Sequence, residues 1–134
     1  MIIVSACLAG VNCNYHGKNS DNSLVTELVK KGRAIMVCPE QLGGLTTPRP
    51  PAEIKKGKVI TKNGEDITEV FIRGANEVLM ICEKYNCKKA ILKSNSPSCG
   101  CGKIHGGNFD GTLVDGDGIT AALLKEHGVE VTAM

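Results

Sequence analysis

The chain has 134 residues, enough for one domain that buries roughly 70% of its unfolded surface around a single core. Its 16 Lys and Arg against 14 Asp and Glu leave a net charge of +2, scattered along the chain, too little by itself to argue for a nucleic-acid-binding surface. No apolar run approaches the roughly 18 residues of a membrane span, and with two Phe, two Tyr and no Trp the core must be built from Ile, Val, Leu and Ala.

Seven cysteines is an odd number, and the opening MIIVSAC lacks the basic and apolar regions of a secretory signal. The chain is therefore expected in the cytoplasm. There, thiols in polar turns serve more often as metal ligands or catalysts than as disulfides.

Ile2 to Ala6 reads as a buried strand, β-branched and without alternation, that stops abruptly at SAC. A loop rich in Gly, Asn and Ser follows. Asp21 or Asn22 can cap a helix through Lys31, with Leu24, Val25 and Leu28 on one face and Gly32 as its stop. Ala34 to Val37 is a second strand, so a strand, a helix and a strand form a right-handed βαβ unit. Residues 39–66 read as irregular and proline-rich, with TPRPPAE extended and a short strand and turn within KVITKNGEDI, the turn at Asn63 and Gly64. A loop of this length in a compact domain is usually functional.

The longest helix is expected from about Thr68 to Tyr85, where Phe71, Ile72, Ala75, Leu79 and Cys82 make an apolar stripe. It delivers a third strand, Lys89 to Leu92, which runs into the polar turn SNSPSCGCG. A glycine-rich hairpin or loop comes next. Asp117 can then cap a helix from Ile119 to His127, followed by a last strand, Val129 to Thr132. The alternation predicts a single α/β domain over residues 1–134, a Rossmann-like three-layer sandwich with a mainly parallel sheet of four or five strands. Ligands of such sheets bind outside the carboxyl ends of the strands.

Cys7, Cys38 and Cys99 each stand just past such an end, so their wide spacing is no obstacle to a shared site. Cys13 can reach the same place across a flexible loop, and either Cys38 or Cys101 could complete a set with Cys99. Thiolates in turns full of Gly and Ser suit an iron-sulfur cluster, because turn N–H groups hydrogen-bond sulfur. The spacings are not those of a ferredoxin. Free cysteine is also a common core residue, and that reading fits Cys82, on the helix stripe, and Cys87.

Glu40, two residues past Cys38, can lean into the same pocket as a general base or stand as a solvated helix acid. Ser94, Ser96 and Ser98 could hold a polar substrate, although turn chemistry asks for serine here as well. Arg49 and Lys93 are candidates for anion or carbonyl contacts. His16 gives a weak zinc hint with Cys13, while no role is assigned to His105 or His127.

Taken together, SACLAGVNC, VCPEQLGGLTTPRPPAE, ILKSNSPSCG and GTLVDGDGITAALL resemble the thiouracil desulfidase family over nearly the whole chain. The resemblance implies a 4Fe-4S cluster held by three cysteines, with one iron open to the sulfur of a thiolated pyrimidine such as 4-thiouracil, and non-redox release of sulfide by water. It places the cofactor-binding positions on Cys7, Cys13, Cys38 and Cys99. Cys7, Cys13 and Cys99 are the favoured metal ligands, with Cys38 the least secure. The catalytic positions it implies are Glu40 and the serine turn, Ser94, Ser96 and Ser98. Where His105 and Gly106 stand, the family more often has an aromatic residue and an acid, and Cys101 is not a usual member, which bears on substrate choice.

Beside a thiol-redox reading of Cys99 and Cys101, whose C-x-C is not the C-x-x-C of the thioredoxin type, two other classes of reading compete. One is a non-catalytic zinc or iron-sulfur module, whose structural zinc would need four thiolates closing on one ion. The other is a sulfur-handling factor for thiolated RNA, against which the near-neutral charge speaks only weakly.

Overall fold

A computed structural model describes residues 1–134. Four strands, β1 (Ile2–Ser5), β2 (Ala34–Val37), β5 (Lys89–Leu92) and β8 (Glu130–Ala133), form the main sheet in the order β2-β1-β5-β8. Every pairing in it is parallel. The sheet therefore meets the α/β expectation at four strands.

Successive residues of a strand face opposite sides, and here both sides are covered. On one face Ile3, Val37, Ala90 and Leu92 pack with Val78 and Cys82 of α3 (Thr68–Lys84) and with Ala121 and Leu124 of α4 (Ile119–Glu126). On the other, Val4 and Ala34 pack with Val25 of α1 (Ser23–Lys30). Burial on both faces is why Ile2 to Ala6 shows no alternation.

Asn22, not Asp21, caps α1, its side chain accepting from the N–H groups of Leu24 and Val25 at 3.0 and 3.3 Å. Leu24 does not join the buried face; it is 57% exposed, one step around the helix from the fully buried Val25. In α3 the buried line is Phe71, Ala75, Val78 and Cys82, and Ile72, expected on it, lies at the margin and is 40% exposed. Asp117 does not cap α4. Gly118 stands at the N-cap, and the Asp117 carboxylate accepts instead from Gly102 N–H and the Lys125 ammonium.

The stretch expected to be largely irregular has more order than its prolines suggest. Pro39 opens a one-turn helix, α2 (Pro39–Leu42), a position where its fixed φ and missing N–H do no harm. Then β3 (Ala52–Lys55) and β4 (Lys58–Thr61) form an antiparallel hairpin. Its two-residue turn, Lys56-Gly57, has positive φ at both positions, the geometry that matches strand twist. A lysine in that conformation hid the hairpin from a reading based on Asn-Gly and Asp-Gly signals. The glycine-rich stretch holds the expected hairpin, β6 (Lys103–His105) with β7 (Leu113–Asp115).

Two glycines seat α2 on α3. A Cβ at Gly74 would strike the Pro39 carbonyl, and one at Gly43 would strike the Val70 carbonyl. This contact fixes the short helix that carries Glu40. No helix is long and apolar enough to cross a membrane.

Candidate functional site

Strands β2, β1 and β5 are neighbours, and their carboxyl ends deliver Cys38, Cys7 and Cys99 in that order. Cys7 lies in a 3-10 turn, Ala6–Ala9, that β1 enters directly. Cys38 stands at the N-cap of α2. Cys99 lies in the turn that follows β5. Together with Cys13 they line a cavity of about 490 Å³, along with Glu40, Lys93, Ser94 and Ser96. All seven cysteines are free thiols.

The Cys99 turn is built from its own serines and from α4. Ser96 Oγ accepts from the N–H groups of Cys99 at 2.7 Å and Ser98 at 3.2 Å, as a serine at a turn does. Ser98 does not line the cavity; it is buried, its hydroxyl 3.1 Å from that of Thr120. The turn's carbonyls in exchange satisfy the first N–H groups of α4, Pro97 O taking Ile119 N–H at 2.8 Å and Ser98 O taking Thr120 N–H at 2.9 Å. A Cβ at Gly118 would meet Ser98 backbone atoms at 2.5 Å, so only glycine lets the helix start this close.

Arg49, also on the cavity wall, is buried and held by several hydrogen bonds. Its Nε donates to Glu40 Oε1 at 2.9 Å, Nη2 to Cys13 O at 2.7 Å and Nη1 to Thr47 Oγ1 at 2.8 Å. The guanidinium therefore orients Glu40 and pins the Cys13 loop from a place on the cavity wall. Lys93 stays on the cavity wall, its ammonium 3.4 Å from Ser94 Oγ.

The thiols are electrostatically unequal. The Cys13 thiol, as hydrogen-bond donor, holds Cys7 below the usual thiol range against the opposing effect of burial. The same donor lowers Cys38 to about 6, helped by the Gln41 N–H at the start of α2 and by the Arg49 charge. Donation to Cys38 and Cys7, together with burial, pushes Cys13 upward. Burial pushes Cys99 up to about 12, although the Ser5 hydroxyl donates to its sulfur at 3.3 Å. Ser5 also accepts from Lys93 N–H at 2.9 Å, tying the ends of β1 and β5 together.

Cys101 is not brought to this cavity; its thiol lies 3.6 Å from the Val131 carbonyl. Cys82 and Cys87 are buried in the α3 and α4 layer as core residues, and His127 bonds back to its own helix at Leu123 O. His16 and His105 both line the cavity, His16 with its ring against that of Tyr15 at 4.6 Å. Sequence reasoning passed over Ser5, Tyr15 and Phe109, which line it too. The scarcity of aromatic residues was the available signal for the last two.

Cys7, Cys13 and Cys38 are in hydrogen-bond contact through the Cys13 thiol, and with Cys99 they line one cavity, a donor set of soft thiols that suits iron-sulfur chemistry.

Comparison with known proteins places nearly the whole chain among relatives. A solved structure of the 4Fe-4S-dependent thiouracil desulfidase TudS superimposes with a TM-score of 0.94 at 45% identity, over 98% of this chain and 89% of that one. The uncharacterized protein YbbK of Bacillus subtilis (strain 168) is also 45% identical, over 98% of this chain and 93% of its own length. The family model for 2-thiouracil desulfurase matches residues 2–134, and the chain belongs to that family.

Proposed function

We propose that this chain is a hydrolytic, non-redox desulfidase of thiolated pyrimidines, converting a substrate such as 4-thiouracil and water into uracil and sulfide. The observation that carries the reading is the delivery of three thiols, from the carboxyl ends of three adjacent parallel strands, to a cavity that also holds Glu40. The solved relative's dependence on a 4Fe-4S cluster supports the same cofactor here.

The donor set fits such a cluster. Four free thiols share one cavity, and the Ser5 hydroxyl donates to the Cys99 sulfur at 3.3 Å. The strand order favours Cys7, Cys38 and Cys99 as the ligands, with Cys13 beside Cys7 and Cys38 as the fourth thiol. The set Cys7, Cys13 and Cys99 is the alternative that iron counting separates. When bound, a cluster on three thiolates supplies an open iron, a Lewis acid with affinity for the soft sulfur of a thiocarbonyl.

The protein's part in the reaction is to place a water and handle its protons. Glu40 is held by Arg49 in a fixed direction at the cavity wall, and its side chain remains 19% exposed, so water reaches it. Its carboxylate accepts a proton as the water oxygen adds to the ring carbon, and the C=S bond is replaced by C=O with the two water protons leaving alongside sulfide. Lys93, Ser94 and Ser96 supply donors at the wall for the ring carbonyl and nitrogen. Ser98, committed to Thr120, contributes through the turn instead.

The test is anaerobic reconstitution with iron and sulfide, then iron counting and sulfide release from 4-thiouracil. Glu40→Ala is expected to keep its iron and lose activity by about 100-fold or more. Cys99→Ala is expected to lose both iron and activity. Of Cys13→Ala and Cys38→Ala, the variant that keeps its iron identifies the cysteine outside the ligand set. Iron bound by the wild type with no sulfide released from any thiopyrimidine would sink the substrate class.

A further inference from the structure

The chain contains four aromatic residues besides histidine, and their places are informative. Phe71 is in the core and Tyr85 is exposed at the end of α3, but Phe109 and Tyr15 line the cavity that holds the cysteines. Phe109 is held at φ 53, in the left-handed region that bulky residues avoid. Such conformations persist only where surrounding structure imposes them, and they gather at ligand clamps.

Here the imposing contacts are explicit. Phe109 lies in the turn between β6 and β7, and Glu53 of β3 reaches across to it. One carboxylate oxygen, Glu53 Oε1, accepts from Gly107 N–H at 2.9 Å and from Phe109 N–H at 3.1 Å. The turn presses on β3 so closely that a Cβ at Gly107 would meet Ile54 O at 3.0 Å. At the root of the same hairpin, His105 N–H donates to Asn95 O at 3.3 Å, anchoring β6 to the turn that carries Cys99. His105 lines the cavity, and its Nδ1 is buried without a hydrogen-bond partner in the protein. Buried polar atoms are almost always paired, so this nitrogen is left for a water or for a ligand that the cavity takes up.

We propose that the β6–β7 hairpin is the element that recognises the heterocycle, Phe109 covering the ring's π face and His105 hydrogen-bonding its polar edge. The inference rests on the thiopyrimidine reading above and names the residues that select a planar ring. Phe109 and His105 are positioning residues: they hold the ring while the cysteine and Glu40 side of the cavity does the chemistry. Glu53 acts through them by holding the turn.

The experiment is anaerobic calorimetric titration of uracil into the cluster-loaded protein, beside steady-state kinetics with 4-thiouracil. Phe109→Leu and His105→Gln are each expected to weaken uracil binding by about fivefold or more, the range that loss of base stacking or a base contact implies. KM for 4-thiouracil should rise in parallel while kcat stays within about threefold, as removal of uniform binding requires. Phe109→Tyr, which keeps the ring, should bind within about twofold of wild type. Unchanged visible absorption and iron content show that the cluster is intact. If Phe109→Leu does not load, Glu53→Ala, which frees the turn without removing the ring, carries the same expectation.

Wild-type protein that binds uracil with both variants binding equally well overturns this proposal and leaves the desulfidase reading standing. Wild-type protein that binds neither uracil nor 4-thiouracil overturns the substrate class, and this proposal with it. A fall in kcat with unchanged uracil binding also overturns it, since that would be damage to the chemical site and not loss of ring recognition.

Discussion

A thiol is ordinarily protonated near neutral pH, and a metal ligand must be a thiolate, so what surrounds each cysteine decides its use. Cys38 has three aids, the Cys13 donor, the Gln41 N–H and the nearby Arg49 charge, and is lowered to about 6. Cys99 is enclosed and raised to about 12. In the cluster-free protein these differences have a direct readout. Alkylation of Cys38 by iodoacetamide, followed by peptide mapping, is expected to rise through an inflexion near about 6, while Cys99 stays unmodified at neutral pH. Because the Cys13 donor is the largest cause of the lowering, Cys13→Ala should move the Cys38 inflexion upward, toward the ordinary thiol value of about 8.5. An inflexion that does not move would show that the helix start and Arg49 suffice.

At the scale of elements, the Cys99 turn and α4 are mutually dependent. The turn's carbonyls cap the helix, the helix start walls in the turn, and Gly118 is the point where the two backbones approach. Gly118→Ala puts a methyl group 2.5 Å from the Ser98 backbone, and the backbone cannot yield as a flexible side chain would. The expected loss is about 2–3 kcal/mol in urea unfolding, typical of overpacking, with iron content falling as well. Asp117→Ala, which removes only a partly exposed contact with Lys125 and Gly102, should cost under about 1 kcal/mol. Equal losses in the two variants would mean that the close approach does not position the turn. The α2 helix is a second case of the same device, with Gly74 and Gly43 seating it on α3 so that Cys38 and Glu40 face one cavity.

In the whole molecule, the site lies at the carboxyl edge of the sheet and the two apolar clusters lie on its faces. One cluster joins β1, β2 and β5 to α3 and α4, the other joins β1 and β2 to α1. The cluster on α3 and α4 takes in Cys99 and the other takes in Cys7 and Cys13, so the site shares walls with both, but most of each is aliphatic. The fold is therefore expected to survive loss of the cofactor. Chelating iron from the reconstituted protein should leave the far-ultraviolet circular dichroism unchanged and lower the thermal midpoint by about 5 °C or more, the signature of a ligand that binds only the folded state. Loss of the helical signal on chelation would show instead that the cofactor is part of the fold's own support.

What the amino-acid sequence determined by itself was the alternation of strands and helices and the recurrence of cysteine at strand exits. Both are local: β-branched runs, 3 and 4 spacing, and breaks at Gly, Ser and Asn act within a few residues. It also placed Cys7, Cys38 and Cys99 in one neighbourhood, since parallel strands must present their carboxyl ends on one side, and left the places of Cys13 and Glu40 open. What only the tertiary structure decided was how each neighbour is employed. Arg49 is paired with Glu40, Ser98 is turned inward to Thr120, Cys101 is kept away, and Glu53 holds Phe109 to the cavity from 56 residues earlier in the chain. Side-chain partners separated by such distances are set by how elements pack, and no periodicity or spacing along the chain encodes them.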